Sequence, residues 1–151
     1  MTVRHAEQKI CYKKLRVIAT FFDIIITNMK SVKRFVVQKH TRAEEVHWDL
    51  MLETAEALLE TYRLEVPPEK LSQKTTTAVK TFNHPPKFLT YEGSVNKGKG
   101  SVEIADSGTY QPLSKNANGQ QFQLEGKILK GKFVLHHIEG DKWEFGLATE
   151  E

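Results

Sequence analysis

The chain has 151 residues, of which 39% are hydrophobic and 27% charged, a composition typical of one globular domain with its own core. It excludes an intrinsically disordered chain. The single cysteine, Cys11, excludes an internal disulfide and a cysteine-rich zinc site. It is also consistent with a reducing compartment, so we expect a cytoplasmic protein.

The net charge of +3 conceals an uneven distribution of charged residues. Residues 1–42 hold ten Lys or Arg and two acidic side chains, whereas the rest of the chain holds 12 basic and 17 acidic ones. A basic segment favours an anionic partner such as nucleic acid or a membrane surface. It is equally typical of a solvated tail, and both interpretations stay open.

The first thirty residues differ in pattern from the rest. The apolar run Val17–Thr27 follows basic residues, as in a secretory signal, but it is too short to span a bilayer. Asp23 interrupts it, and no small-residue cleavage pattern follows. In another interpretation Met29 is the true start. We predict that residues 1–30 are an extension outside the domain, either a packed helix or poorly ordered, and that residues 31–151 form a domain without membrane contact.

From Arg34 onward, short apolar segments alternate with turn residues, which is the pattern of a β protein. The predicted strands are Arg34–Lys39, Val46–Glu53, Ala57–Leu64, Lys87–Glu92, Ser101–Ala105, Gln121–Leu124, Lys132–Ile138 and Lys142–Leu147. Asp106-Ser107-Gly108 is predicted as a turn, and Pro67-Pro68 as the start of a short helix or irregular passage. The sequence predicts a mainly β fold, a small closed β-barrel of about seven or eight mostly antiparallel strands with one or two short helices.

The first two predicted strands carry a candidate metal site. Alternate residues of a strand point to opposite faces, so His47 and Asp49 share one face and lie about 7 Å apart along it, while apolar residues line the other face. His40 ends the preceding strand and converges on them if the two strands form a hairpin. Two imidazoles and one carboxylate suit a divalent transition metal with open coordination positions. The alternative is a surface histidine pair beside a solvated aspartate.

Several separated motifs then occur in a recognisable order. They are RFVVQKH, HWDLMLE, HPPKFLTYEGSV, GKGSVEIADSGTY and FQLEGKILKGKFVL, followed by Trp143. From about Arg34 to Phe145 the chain resembles the 3′-phosphoesterase domain of bacterial DNA ligase D, including its stand-alone relatives. The resemblance implies a compact barrel that binds a divalent metal, typically manganese, with zinc or another transition metal as alternatives.

The resemblance also implies an activity and its residues. The family trims damaged or ribonucleotide-bearing 3′ ends of DNA, leaving a 3′-hydroxyl that a ligase can seal in DNA repair by end joining. His40, His47 and Asp49 match the family's metal ligands, and His84 matches its phosphate-contacting histidine. The expected partners are nucleic-acid 3′ ends and a separate ATP-dependent DNA ligase, and the expected state is a monomer.

Two departures from the family pattern concern the phosphate. Met51 stands where the resemblance implies a phosphate-clamping arginine, and Phe88 stands where it implies a tyrosine. An apolar thioether cannot replace a bidentate guanidinium. Arg42, Lys97 and Lys99 are candidate substitutes, although the glycine-rich stretch around the two lysines is also typical of an exposed turn.

Three hypotheses follow from the sequence. The first is a metal-dependent 3′-phosphoesterase. The second is a catalytically impaired module of the same fold that binds nucleic-acid ends or a repair partner. The third takes the metal as structural, joining two strands.

Overall fold

A computed structural model describes residues 32–149, and the predicted extension 1–30 lies outside them. The described residues form nine strands: β1 Lys33–Arg42, β2 Glu45–Glu53, β3 Leu59–Leu64, β4 Thr76–Lys80, β5 Gly93–Val95, β6 Gly100–Asn116, β7 Gly119–Gly126, β8 Lys130–Glu139 and β9 Lys142–Leu147. The helical elements in this part of the chain are three single 3₁₀ turns, Pro68–Lys70, Pro86–Leu89 and Asn96–Gly98. Within residues 32–149, no helix has the length and apolarity needed to cross a membrane.

Eight of the strands close into an antiparallel barrel. The order is β1-β2-β3-β4-β9-β8-β7-β6, and β6 pairs with β1 to complete the ring. The short β5 pairs only with the start of β6 and stays outside the ring. The prediction of a mainly β fold with a small closed barrel is confirmed. Closure leaves no unpaired strand edge in the ring, which protects the barrel from edge-to-edge association.

The barrel interior is filled by the inward-facing residues of these strands. Leu50 and Leu52 of β2 are fully buried there, as the alternating pattern predicts, whereas Val46 on the same face is 42% exposed where the strand begins. Phe145 stacks on both Phe122 and Phe133, with ring centroids 6.1 and 5.3 Å apart. Offset stacking of this kind adds to the burial of apolar area.

A second apolar cluster lies on the outer face of the barrel. Its fully or almost fully buried members are Val36, Met51, Leu59 and Leu89. The segment 81–98, which connects β4 to β6, covers these outward-facing strand residues. The buried Gln38 side-chain amide donates to the backbone carbonyls of Phe88 (2.9 Å) and Tyr91 (2.8 Å), and so fixes this segment against β1.

Two predicted elements are wrong, one within this segment and one just before it. Lys87–Glu92 is not a strand, because Pro86 opens a 3₁₀ turn that continues to Leu89. Proline fixes φ and lacks an N–H group, so it suits a first helical turn better than a sheet ladder. Conversely, residues 67–80 are predicted to form a short helix or irregular passage. Thr76–Lys80 within this range is strand β4, which pairs with β3 and β9.

The predicted turn at Asp106-Ser107-Gly108 is also wrong, because these residues lie within β6. Asp106 is only 2% exposed. Its carboxylate accepts backbone N–H groups of Lys127 (2.8 Å), Ile128 (3.2 Å) and Leu129 (2.7 Å), which form the β7–β8 connection. A Cβ on Gly126 would lie 2.5 Å from the Asp106 carboxylate, so only glycine permits this approach. The motif is a structural anchor for the connection.

We expect Asp106→Ala to lower the free energy of unfolding by about 3 kcal/mol, because it leaves buried N–H donors without a charged acceptor. Asp106→Asn keeps one acceptor oxygen in a side chain of the same shape, so the loss of unfolding free energy should be smaller. Urea denaturation of both variants measures these differences. Asp141→Ala, at an exposed turn, is the control. A loss for Asp106→Ala no larger than that of the control would contradict the anchoring role.

Candidate metal centre

The β1–β2 hairpin positions the three predicted ligands on the outer face of the barrel. In the antiparallel register His40 lies directly opposite His47, and Gln38 lies opposite Asp49. Directly paired residues point to the same face, and so do residues two apart along a strand. His40, His47 and Asp49 therefore share one surface, as the hairpin hypothesis requires.

The donor atoms of the three side chains converge. His40 Nδ1 lies 3.1 Å from His47 Nε2, and His47 Nε2 lies 3.2 Å from an Asp49 carboxylate oxygen. All three residues offer a ligand atom within 4.8 Å of one another. Ligand atoms bound to one transition-metal ion lie about 3 Å apart, because each is about 2.1 Å from the ion. The cluster therefore has the donor types and the spacing of a metal site.

The surroundings of His40 favour the neutral imidazole that a metal requires. Burial lowers the pKa of His40, and the adjacent His47 lowers it further, while Asp49 acts in the opposite direction. Gly100 of β6 lies against this ring, since a Cβ there would be 3.0 Å from His40 Nε2. Strand β6 thus closes one side of the site.

Two buried polar atoms beside the cluster have no protein hydrogen-bond partner within the described part of the chain. They are Gln38 Oε1 and His40 Nε2. Buried polar groups are seldom left unpaired unless an unseen water or ion satisfies them. An acceptor left over beside a His/His/Asp cluster fits a hydrated metal ion, whose water ligands are donors.

His84 lies on the segment that covers the hairpin. Its backbone pairs with Leu59 through two hydrogen bonds of 2.9 Å. The Thr61 hydroxyl donates its hydrogen to the Leu59 carbonyl. The hydroxyl oxygen therefore accepts a hydrogen bond from His84 Nδ1, at 2.9 Å. The Phe82 carbonyl lies 3.1 Å from the same nitrogen. This network assigns the proton to Nδ1 and leaves Nε2 available. Burial lowers the pKa of His84, with Asp49 opposing it.

One cavity of about 360 Å³ joins the cluster to His84. Its walls also include Arg42, Arg63 and Phe82, while Met51 and Phe88 contribute apolar surface. The Phe88 ring meets His84 edge-on, with centroids 5.5 Å apart. The cavity thus combines a metal-type donor set, a neutral imidazole and two guanidinium groups.

The three predicted phosphate-binding cations take different positions. Arg42, at the end of β1, lines the cavity. Lys97 lies within the turn Asn96–Gly98 and Lys99 follows it, and neither lines the cavity. Their role in phosphate binding stays a prediction.

Sequence reasoning missed Arg63, which lies directly opposite Asp49 in the β2–β3 register. Alternation along β3 places Thr61 and Arg63 on one face, and that much was visible in the sequence. The register between β2 and β3 could not be seen in the sequence, because the length of the connection between these strands does not determine how they pair. The role of Thr61 beside His84 was hidden for the same reason.

Comparisons with known proteins identify the family of this chain. A family model described as the DNA Ligase D 3′-phosphoesterase domain matches residues 38–137. The chain is also similar to the multifunctional non-homologous end joining protein LigD of Mycolicibacterium smegmatis. The two are 27% identical over a 124-residue alignment that covers 73% of this chain and 16% of that protein. The chain thus corresponds to a small part of that relative. From the family match over residues 38–137, we conclude that this chain belongs to the DNA ligase D 3′-phosphoesterase domain family.

Proposed function

We propose that this domain is a metal-dependent phosphoesterase that processes nucleic-acid 3′ ends and leaves a 3′-hydroxyl. The observation that carries the proposal is the convergence of His40, His47 and Asp49 within 4.8 Å, in the same cavity as His84. Family membership supports DNA 3′ ends as the substrate class. A ligase that seals the healed end, ATP-dependent and on a separate polypeptide, is the partner that we propose for the next step.

His40, His47 and Asp49 would hold the metal, and their nitrogen and oxygen donors suit Mn²⁺ or Zn²⁺. When bound, the ion supplies a positive centre that polarises a phosphoryl oxygen and neutralises charge in the transition state. Within residues 32–149 the cluster offers three protein ligands, which would leave coordination positions open and support a catalytic site over a closed structural one.

His84 would contact the phosphate through Nε2. Thr61 and the Phe82 carbonyl hold its Nδ1 side and set the orientation of the ring. Burial lowers the pKa of His84, which favours the neutral imidazole in the free protein. The negative charge of a bound phosphate favours the protonated form, which can donate Nε2–H to a phosphate oxygen or to the leaving oxygen.

Arg63 is the guanidinium that we propose for the phosphate. Met51, at the position of the implied arginine, is only 1% exposed and packs in the outer apolar cluster. Arg63 lines the cavity from the neighbouring strand, opposite Asp49. No carboxylate in residues 32–149 lies within 4.0 Å of it, so its charge is available to a ligand. Arg42, Lys97 and Lys99 remain candidates for further contacts.

A second candidate function is the end-binding module without turnover. The apolar surface of Met51 and Phe88 next to His84 favours it, because both side chains lack a group that could hydrogen-bond to phosphate. Binding of 3′ ends without hydrolysis separates this candidate from the phosphoesterase.

Wild-type protein is expected to bind one Mn²⁺ ion per chain. His40→Ala or Asp49→Ala should weaken Mn²⁺ binding by more than the about 10–100-fold typical of changes to residues that only contact the ligands, because each removes a ligand atom. Electron paramagnetic resonance of free Mn²⁺ measures both affinities. His136→Ala, on β8 and away from the cavity, should bind as wild type does. A wild-type protein that bound neither Mn²⁺ nor Zn²⁺ would contradict the metal site.

We expect Mn²⁺-dependent conversion of a duplex with a recessed 3′-phosphate or 3′-ribonucleotide end to a 3′-hydroxyl product. His84→Ala should abolish conversion while Mn²⁺ binding persists. Thr61→Val should reduce kcat less severely, since it frees the ring without removing it. Product ends are resolved by gel electrophoresis. If wild type binds Mn²⁺ and the duplex but releases no product, the end-binding module is the better description.

Arg63→Gln should raise KM for the 3′-phosphate substrate about 10-fold or more, the value of a charge-assisted hydrogen bond to phosphate. Arg63→Lys should recover part of the loss, because it restores the charge without the planar fork. Steady-state kinetics of Arg42→Gln are measured alongside. A large effect of Arg42→Gln with none from Arg63→Gln would transfer the phosphate role to Arg42.

A further inference from the structure

Phe82 is the most exposed large apolar side chain in the described residues. Its side chain is 75% exposed, whereas the next most exposed, Val32, is 51% exposed. A single exposed hydrophobic residue is common on protein surfaces and requires no explanation by itself. Phe82 differs from the others because it also lines the cavity that holds the metal cluster and His84.

The Phe82 ring is held in a defined orientation. It stacks on His84 with ring centroids 4.5 Å apart and an angle of 16° between the planes. The backbone on both sides is fixed, since Thr81 donates to the Thr61 carbonyl (3.0 Å) and His84 pairs with Leu59. One face of the phenyl ring is therefore covered by the imidazole, and the opposite face is open.

Positive charges flank this ring in the chain, one at the end of β4 and one on the covering segment. Lys80 lies two residues before Phe82, and its ammonium group is 3.2 Å from the Asn83 side-chain oxygen. Lys87 follows the two prolines, with its ammonium group 5.3 Å from the centre of the Phe88 ring. Neither lysine forms a salt bridge within residues 32–149. An exposed aromatic ring beside cations that no carboxylate neutralises is typical of surfaces that bind single-stranded nucleic acid.

We propose that Phe82 is a stacking platform for a nucleobase, that of the nucleotide whose phosphate meets His84. This inference rests on the proposed function, because it assigns the part of the same site that holds the nucleoside. A base lies one sugar away from its own 3′-phosphate, and Phe82 lies directly beside the phosphate-contacting imidazole. Stacking accepts every base, so the platform gives the site a preference for a terminal nucleotide with a base over an abasic one.

The test compares two duplexes that differ only at the recessed 3′ terminus. One ends in a normal nucleotide 3′-phosphate and the other in an abasic residue with the same phosphate. Fluorescence anisotropy gives the affinity of each, with and without Mn²⁺. Wild type should bind the base-bearing end about 5- to 100-fold more tightly, the range for stacking of one base. Phe82→Ala should bind both ends equally.

Matched variants separate stacking from apolar bulk. Phe82→Trp should keep the preference for the base-bearing end, whereas Phe82→Leu, which keeps the volume but lacks a π face, should lose most of it. Leu113→Ala removes a 45%-exposed side chain of β6 away from the cavity and should behave as wild type. Circular dichroism of each variant verifies folding.

The outcomes distinguish this inference from the proposed function. A preference in wild type that Phe82→Ala abolishes supports stacking even if no product forms, in which case only the phosphoesterase proposal fails. Turnover with equal binding of base-bearing and abasic ends overturns the stacking platform and leaves the phosphoesterase standing. A preference that survives Phe82→Ala also overturns it. Absence of binding to either duplex contradicts both.

Discussion

The pairing register of β1 and β2 is the constraint on which the rest of the site depends. With His40 opposite His47, the histidines and Asp49 fall on the outer face, and the alternate residues Leu50 and Leu52 fall in the core. A slip of one residue would exchange the two faces, placing the imidazoles in the barrel and the leucines outside. The free energy of apolar burial thus keeps the three candidate metal ligands together on the outer face.

The outer face of this hairpin is itself covered by another part of the chain. The segment between β4 and β6 packs on Met51, Val36 and Leu59, and the buried Gln38 amide binds its backbone. This cover brings His84 and Phe82 over the cluster, so the cavity has a barrel wall on one side and a connecting segment on the other. The apolar Met51 serves this packing.

The site shows a division of charge that suits a polyanionic substrate. Asp49 is 7% exposed and is surrounded by two imidazoles, and a divalent ion would more than neutralise it. Arg42 and Arg63 line the walls, Lys80 ends β4, and Lys87 lies on the covering segment. The cavity thus brings together a candidate metal-ligand set, two guanidinium groups and an exposed aromatic ring.

Much of this arrangement was determined by the sequence alone. The period-2 pattern of residues 46–53 predicted the strand and the shared face of His47 and Asp49, and the spaced motifs carried the resemblance to the family. Local sequence patterns gave wrong predictions at two places. At Lys87–Glu92 the preceding prolines start a 3₁₀ turn in place of a strand. At Asp106 the motif typical of a turn lies in a strand and anchors the β7–β8 connection through its buried carboxylate. The positions of Arg63, Thr61 and Phe82 around the cavity came only from the tertiary structure. Sequence patterns report which face a residue takes within its own element, whereas strand register and the path of a covering segment are decided by packing between elements distant in the chain.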